Sequence, residues 1–224
     1  MLHRPGSLCV WLLALAVWGA FFPGLLAQND EAIIKFKEGS DGLKSDWVDA
    51  PNGGPAGTSS TPVDSKRWLK IDAQFTVDSP VDVIPEAKFK VYLEVPDIKR
   101  PKDSTNNKFI ILTGEATYVN LPAVTPGREL HVTFYVHPFT VNRYGGERNF
   151  HFSQDQNVHI DAYIGEQKAA SKDAFDVPAG DKNWYLSETE KKTPGLVLTK
   201  EQSPWSGADA GSYPQAKLKA ASGE

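Results

Sequence analysis

The segment VNRYGGERNF, residues 141–150, is the first stretch of the sequence that suggests chemistry. Phosphate-binding loops need spaced glycines followed by a helix, whose free N–H groups hold the anion. Here Gly145 and Gly146 are adjacent, and a strand pattern follows them. A Gly-Gly pair between two alternating segments favours a tight hairpin turn, with Arg143 and Arg148 opposite each other at its base. The alternative is an anion or partner contact through the two arginines.

Histidines are a second candidate source of chemistry, because imidazole is the commonest metal ligand. His131, His137, His151 and His159 come from neighbouring segments and would reach zinc if they shared one sheet face. However, His131 and His159 each fall on the polar side of an alternating strand, where any polar residue would serve. Zinc-binding spacings such as HExxH are absent from the sequence. We therefore predict no metal and no cofactor.

Carboxylates and hydroxyls do not form a recognisable catalytic motif. Asp155 and Asp161 flank His159, and Ser153 precedes them. A serine–histidine–aspartate set can be assembled on paper from many chains, and no G-x-S-x-G elbow supports one here. Calcium-loop spacing is also absent from the sequence. We predict a protein that is not an enzyme.

Aromatic and basic side chains outside the regular segments are the remaining candidates for binding. The candidate partner or glycan contacts are Trp47, Arg143, Tyr144, Trp184, Tyr185 and Trp205. Exposed aromatic rings can stack on sugars or anchor a protein partner. The alternative interpretation is that the tryptophans fix long irregular segments onto the folded domain.

The elements that would position these residues are strands. Period-two alternation is clear in RWLKIDAQFTV, AKFKVYLEV, ELHVTFYV and VHIDAYI, and weaker in AIIKFK. In the first segment, one face carries Leu69, Ile71, Ala73, Phe75 and Val77. In KFIILTGEATYVNL, the Thr113-Gly114 pair predicts either a bulge or a short hairpin. Such half-buried strands, separated by turn residues, predict an all-β, antiparallel, immunoglobulin-like β-sandwich. A barrel or a jelly roll remains open.

The N-terminal segment predicts export. Arg4 precedes an apolar stretch from Leu8 to Leu26, and the small residue Ala27 follows it. Residues 1–27 therefore have the layout of a cleaved signal peptide, with a retained membrane anchor as the alternative. The only cysteine, Cys9, lies inside this segment. Because the mature chain then has no cysteine, it resembles a protein of the bacterial envelope, in the periplasm or on the cell surface.

The rest of the chain divides by composition. Residues 28–66 are rich in Gly, Pro, Ser and Asp and predict an N-terminal arm or loop. Residues 67–179 hold the alternating segments and predict the sandwich. Residues 180–224 predict a C-terminal arm with a disordered tail. The net charge of −4, without a basic run, argues against a nucleic-acid partner.

The order of the segments resembles a known family. It runs RWLKIDAQF, PEAKFKVYLEV, FIILTGEATYVNLP, HVTFYVHPFTVNRYGG, NWY and GLVLTKEQSPW, over roughly residues 67–206. These segments resemble the uncharacterised exported proteins of Verrucomicrobia, including Akkermansia, whose genes lie beside type IV pilus assembly genes. The resemblance implies an immunoglobulin-like sandwich in the periplasm or on the cell surface, with pilus components or a second copy as partners. It assigns no functional residues.

The sequence thus predicts a non-enzymatic binding or assembly protein of the cell envelope. In an oligomer, a sheet edge or the arms would carry the contact, so deleting residues 180–224 is expected to reduce assembly without unfolding the sandwich. The alternative is a carbohydrate-binding module that uses the loop aromatics. A metal-dependent hydrolase is a third, weaker hypothesis.

Overall fold

The computed structural model describes residues 32–51, 67–96, 109–123, 128–145, 157–174, 183–187, 191–207 and 213–217. In chain order, the strands are β1 (Ile33–Phe36), β2 (Leu43–Val48), β3 (Trp68–Asp78), β4 (Val83–Pro96), β5 (Phe109–Pro122), β6 (Leu130–Val136), β7 (Val158–Ile164), β8 (Gln167–Asp173), β9 (Lys191–Pro194), β10 (Val197–Thr199) and β11 (Gln215–Ala216). The α-helix α1 (Pro138–Gly145) follows β6, and 3-10 helices span Trp184–Leu186 and Lys200–Gln202.

The first sheet has the order β1-β3-β6-β10, and β2 also pairs with β3. Strands β1 and β2 lie end to end along the same edge of β3, because β1 pairs with Phe75–Asp78 and β2 with Trp68–Ala73. Gln74 joins them: its carbonyl accepts from the Lys37 N–H and its own N–H donates to the Gly42 carbonyl, each at 2.9 Å. The edge is therefore one strand interrupted by a short loop.

The second sheet has the order β11-β5-β4-β7-β8, and β9 also pairs with β5. The long antiparallel pair β4–β5 forms its centre, with Pro96 opposite Phe109 and Val83 opposite Pro122. Strand β9 pairs with β5 in parallel, whereas the other described pairs are antiparallel. The predicted all-β, immunoglobulin-like antiparallel sandwich is confirmed.

The inner faces of the two sheets form one core, as the alternation predicts. Leu69, Ile71, Ala73, Phe75 and Val77 are all buried. Two aromatic contacts join the sheets at its centre. Phe75 lies 4.8 Å from Phe89 between ring centroids, and Phe36 meets Phe89 edge-on at 6.4 Å. Pairs of this kind stabilise a fold beyond the area that they bury.

The C-terminal segment, residues 191–217, crosses between the sheets at one side of the sandwich. Strand β9 lies in the second sheet, Gly195 turns the chain with a φ of 79°, and β10 joins the first sheet. Strand β11 then returns to the second sheet beside β5. Val197 is 2% exposed and belongs to the core. This segment therefore closes one lateral side of the fold.

The predicted boundaries of the sandwich differ from those in the structure. Strands β1 and β2 lie within residues 28–66, and β9 to β11 lie within residues 180–224, although both segments were expected to lie outside the sandwich. These strands are short, so their alternation is weak, and only AIIKFK at β1 was recognised. They form because an existing sheet edge offers backbone partners. The signal-peptide prediction for residues 1–27 lies outside the described residues.

The predicted hairpin turn at Gly145-Gly146 is wrong for the half that the structure describes, because the chain before it, up to Gly145, forms the helix α1 and not a strand. Pro138 occupies the first helical position, where its missing N–H costs nothing. The Nδ1 atom of His137 accepts a hydrogen bond from the Phe139 N–H at 3.1 Å and so caps the helix. Val141 and Tyr144, three residues apart, turn toward the core.

The pair Thr113-Gly114 lies inside the continuous strand β5, so the hairpin alternative is wrong. A Cβ atom on Gly114 would lie 2.5 Å from the Val197 carbonyl oxygen and 2.9 Å from its Cβ. Glycine is therefore present to let β10 approach β5 closely.

Candidate functional site

Five aromatic rings form a row on the outer face of the first sheet, which we call the aromatic row. Its members are Phe139, His137, Trp68, Trp205 and Tyr135. Adjacent centroids lie 5.4, 4.6, 5.6 and 4.4 Å apart in that order. The two end pairs are stacked, with interplanar angles of 2° and 6°, and the two middle contacts are edge-on. Because β3, β6, α1 and the C-terminal segment all contribute, the whole fold holds the row.

Phe139 ends the row and is 80% exposed, more than any other large apolar residue described. Its ring stacks on His137, and the hydrogen bond from its own backbone N–H orients that imidazole. Arg143 follows one helical turn later and is also exposed. Residues four apart lie on one face of a helix, so α1 presents an apolar ring beside a cation.

A polar cluster around Asp72 lies on the same sheet face. The Asp72 carboxylate, 4% exposed, accepts from the Thr133 hydroxyl at 2.6 Å and contacts His131 Nδ1 at 3.0 Å. Tyr213, from the C-terminal segment, lies over His131 at 5.9 Å between centroids, and the Lys200 ammonium lies 3.7 Å from the Tyr213 ring centre. The cluster thus attaches the C-terminal segment to the sheet.

A second polar cluster, the His159 network, lies on the outer face of the second sheet. It consists of His159, Asp161, Asp173, Lys168 and Tyr163. His159 Nδ1 lies 2.8 Å from Asp173, and Nε2 lies 2.9 Å from Asp161. Asp161 also accepts from the Tyr163 hydroxyl at 3.2 Å and pairs with the Lys168 ammonium at 2.8 Å. His159 and Asp161 are 2% and 1% exposed, so the centre of the network is buried, whereas Lys168 lies at its exposed edge.

The network shifts the proton affinities of its members. Burial by itself would lower the pKa of His159, but hydrogen bonds to Asp161 and Asp173 outweigh burial and raise it. Burial would raise the pKa of Asp161, yet hydrogen bonds from His159 and Lys168 hold it below its usual value. Burial, followed by the Asp161 charge, raises the pKa of the neighbouring Tyr92 to about 12. The network therefore favours a charged histidine beside a charged Asp161.

The 3-10 helix Trp184–Leu186 covers the network. The Tyr185 ring stacks on the His159 imidazole at 3.6 Å and 11°, and the Lys168 ammonium lies 5.5 Å from the same ring. Trp184 packs beside Tyr185 and Ile111 in a small apolar cluster. The His159 ring therefore has an aromatic ring stacked on its face and carboxylates at its two nitrogens. This arrangement favours a cation at His159.

The predicted contact residues separate into two groups, of which one is accessible. Arg143 is exposed, and its guanidinium carbon lies 5.4 Å from the Tyr144 ring centre. Tyr144 is half-buried against the core. Trp205 is partly exposed and stacks on Tyr135 in the aromatic row. These residues keep some surface for a partner.

The other three predicted contacts are turned inward. Trp184 and Tyr185 are 9% and 5% exposed, and Trp47 is half-buried against the core within β2. In this state Trp184 and Tyr185 offer little surface to a partner. They fit the alternative interpretation, because each fixes a peripheral segment onto the sandwich.

Sequence reasoning missed Phe139 and His137 as binding-surface residues. His137 was considered only as a metal ligand, and Phe139 lies in the segment before the Gly-Gly pair, which was expected to lead into a hairpin turn. The His137-Pro138 pair was the available signal, since proline at a first helical position marks a helix start. With the helix recognised, Phe139 falls on its solvent side.

The three described histidines, His131, His137 and His159, lie in three separate clusters. His151 lies outside the described residues. Both ring nitrogens of His159 contact carboxylates, and within the described ranges no group of three or more His, Cys, Asp or Glu is placed to hold a metal ion. Nor does any helix in the described part of the chain have the length and apolar character needed to cross a membrane.

Fold and site together define the class: an all-β sandwich whose outer faces are partly covered by its own C-terminal segment. A family profile matches residues 31–219, and the chain belongs to that family. A crystal structure of a protein from Akkermansia muciniphila matches with a TM-score of 0.65 and 18% identity, covering 85% of this chain and 95% of that one. Together they confirm the resemblance to the Akkermansia-like family of Verrucomicrobia. Among curated proteins, none matches the sequence significantly.

Proposed function

We propose that the chain is a non-enzymatic binding or assembly protein of the bacterial cell envelope, linked to the type IV pilus system. The observation that carries the binding role is the exposed Phe139 at the end of the aromatic row. A large apolar side chain that is exposed yet held rigid is typical of an interface anchor. Its rigidity matters because little side-chain entropy is lost when a partner covers it.

The charge next to Phe139 supports a protein partner. Arg143 lies on the same face of α1, and arginine beside an aromatic ring is enriched at binding hot spots. The first turn of α1 carries no acidic residue. The surface therefore suits a partner that presents an apolar side chain next to a carboxylate.

The polar clusters support a structural rather than a catalytic role for the described histidines. His159 contacts a carboxylate with each ring nitrogen, and His131 contacts Asp72. Asp72 and Asp161 are each contacted by a histidine and accept a hydrogen bond from a hydroxyl group. Within each cluster the histidine and the carboxylate contact each other. These contacts stabilise the sheets and the segments that cover them.

Export and the pilus link rest on the sequence. The layout of residues 1–27 supports export to the periplasm or the cell surface. The family resemblance supports the association with pilus assembly components. A homo-oligomer is a further state that the resemblance implies.

The test is an affinity capture with mature protein, residues 28–224, as bait on envelope extract from the source organism. We expect pilus assembly components among the captured proteins, identified by mass spectrometry. Phe139→Ala should reduce their capture by about tenfold or more, the effect of losing a hot-spot anchor. Val81→Ala is the matched control, because Val81 is 53% exposed and lies in the loop before β4.

The outcomes separate the parts of the proposal. Capture of pilus components that is equal for wild type and Phe139→Ala would reject the aromatic row as the binding surface. Capture of background proteins alone would reject the pilus link.

A carbohydrate-binding role is the second candidate, and the flat, partly exposed ring of Trp205 favours it. Stacked on Tyr135, this ring is rigid enough to serve as a platform for a sugar. Titration with a glycan panel should then quench tryptophan fluorescence in wild type and not in Trp205→Ala. Trp184→Phe is the control, since Trp184 is buried. Equal quenching in wild type and Trp205→Ala would remove this candidate.

A further inference from the structure

The contacts of His159 favour a charged ring. A neutral imidazole carries one N–H group, so it donates to one acceptor only. Here Nδ1 lies 2.8 Å from an Asp173 oxygen and Nε2 lies 2.9 Å from an Asp161 oxygen. Lys168, 2.8 Å from Asp161, keeps that carboxylate ionised. Only the imidazolium can donate to both carboxylates at once.

The charged ring is also the surface on which the covering segment rests. Tyr185 stacks on it at 3.6 Å, and Trp184 packs beside Tyr185 on Ile111. The backbone hydrogen bonds from Leu186 to Asn183 and from Ser187 to Trp184 lie inside the segment itself. The side-chain packing of Tyr185 and Trp184 therefore contributes to the attachment of residues 183–187 to the sheet.

Titratable groups from the neighbouring elements lie on the same face of the second sheet as His159. Strand β7 contributes Asp161 and Tyr163, and β8 contributes Asp173 and Lys168. Strand β4 contributes Tyr92, Lys90 and Glu94, and β5 contributes Glu115. The covering segment contributes Tyr185. Lys90 lies near Glu115, and Glu94 accepts from the Asn157 amide at 2.8 Å. After loss of the histidine proton, the neutral ring between Asp161 and Asp173 could donate a hydrogen bond to only one of them.

We propose that His159 is a pH-sensitive latch, which holds residues 183–187 on the second sheet when the ring is protonated and releases them when it loses that proton. Release would expose Trp184, Tyr185 and Ile111, which are apolar or aromatic and buried in the closed state. The latch is independent of the partner proposed above, because it rests on contacts within one chain.

The direction of the pH effect follows from the sign of the shifts. Because the pKa of His159 is raised in the folded protein, its contribution is complete below about pH 6.5 and is lost as the pH rises through the folded-state value. Because the pKa of Asp161 is lowered, its contribution is present above about pH 4 and is lost as the pH falls through the folded-state value. The latch is closed between these limits.

The experiment is hydrogen exchange on the mature protein, measured by mass spectrometry between pH 5.5 and pH 9 and expressed as protection factors. Protection of residues 183–187 should fall as the pH rises, by about tenfold for each unit by which folding raises the pKa of His159. Protection of β5 should stay constant, because opening is local. In His159→Gln, which carries no charge, protection of 183–187 should be low at every pH.

Two further variants make the test decisive. His131→Gln removes a histidine bound to a carboxylate on the other sheet and should keep the wild-type transition. Asp173→Asn keeps an acceptor without its charge, so the midpoint of the transition should move to lower pH. If His159→Gln does not fold, Asp173→Asn decides the question. Flat wild-type protection over this range, the same transition in His159→Gln, or an unmoved midpoint in Asp173→Asn would each overturn the latch.

Discussion

Two buried carboxylates, Asp72 and Asp161, have matching surroundings on opposite faces of the molecule. Each is contacted by a histidine and by a lysine. Each also accepts a hydrogen bond from the hydroxyl group of a nearby side chain. A buried carboxylate is tolerated when its lone pairs are satisfied in this way. Both clusters lie beneath segments from the C-terminal part of the chain, so the charges hold those segments in place.

Asp161→Asn is expected to lower the free energy of unfolding by about 3 kcal/mol at pH 7, because it leaves His159 and Lys168 without their charged partner. Since the pKa of Asp161 is lowered by folding, the difference from wild type should be present above about pH 4 and shrink as the pH falls through the folded-state value. Urea unfolding at several pH values measures it. Asp46→Asn, at an exposed site on β2, should change stability by less than about 0.5 kcal/mol. A pH-independent difference would contradict this explanation.

Gly114→Ala tests the close approach of β10 to β5. The added Cβ would lie 2.5 Å from the Val197 carbonyl oxygen, and because this neighbour is backbone, the strands must separate. We expect a loss of about 1–3 kcal/mol in the free energy of unfolding, as in other overpacked cores. Gly207→Ala is the control, since nothing lies within 4 Å of its Cβ position. Equal stability of the two variants would show that β10 can shift away from β5 without loss of stability.

At the scale of elements, the sequence predicted the long central strands and the short strand β1, and missed most of the other short strands. Strands β3, β4, β6 and β7 were placed correctly because each buries one continuous face, which period-two alternation records. Helix α1 was missed because Phe139 and Val141 alternate with polar residues over too few positions to separate a strand from a helix. There the cap at His137 and the proline after it decide the structure, and neither contributes to hydrophobic periodicity.

His137→Ala should destabilise the protein by about 0.5–2 kcal/mol, because it removes the cap of α1. It should also weaken partner capture, since Phe139 loses the ring on which it stacks. His137→Asn restores the cap without the stack, so it should recover most of the stability and not the capture. Thermal unfolding and the affinity assay measure the two effects. Full recovery of capture in His137→Asn would show that the stack does not position Phe139.

At the scale of the whole molecule, the burial of His159 illustrates where sequence reasoning stops. Alternation placed this residue correctly on the outer face of its strand, and from there predicted solvent exposure. The ring is buried because Tyr185, distant in the sequence and within a segment without periodicity, folds back over it. In the same way, Tyr135 on β6 is covered by Trp205, which comes from a distant segment without periodicity. Contacts between a patterned strand and an unpatterned segment leave no signal in either one.

The strands of the C-terminal segment pair with both sheets, which changes the expected effect of removing it. Truncation after residue 190 deletes β9, β10 and β11, together with the core residue Val197 and the ring of Trp205. Burying two side chains of this size contributes about 3 kcal/mol or more, so the free energy of unfolding should fall by at least that amount. Truncation after Lys217 keeps these strands and should leave stability within about 0.5 kcal/mol of wild type. Urea unfolding of both truncations measures the difference.

This comparison also decides how an assembly defect in a truncated chain is interpreted. If the chain that ends at residue 190 loses both stability and partner capture, the defect follows from an open sandwich and identifies no docking surface. If it keeps wild-type stability, the segment is a separable arm and the earlier expectation for residues 180–224 is correct. A binding role for the aromatic row must therefore be tested with Phe139→Ala. Phe139 is exposed and contributes little to the core, so its loss separates binding from folding.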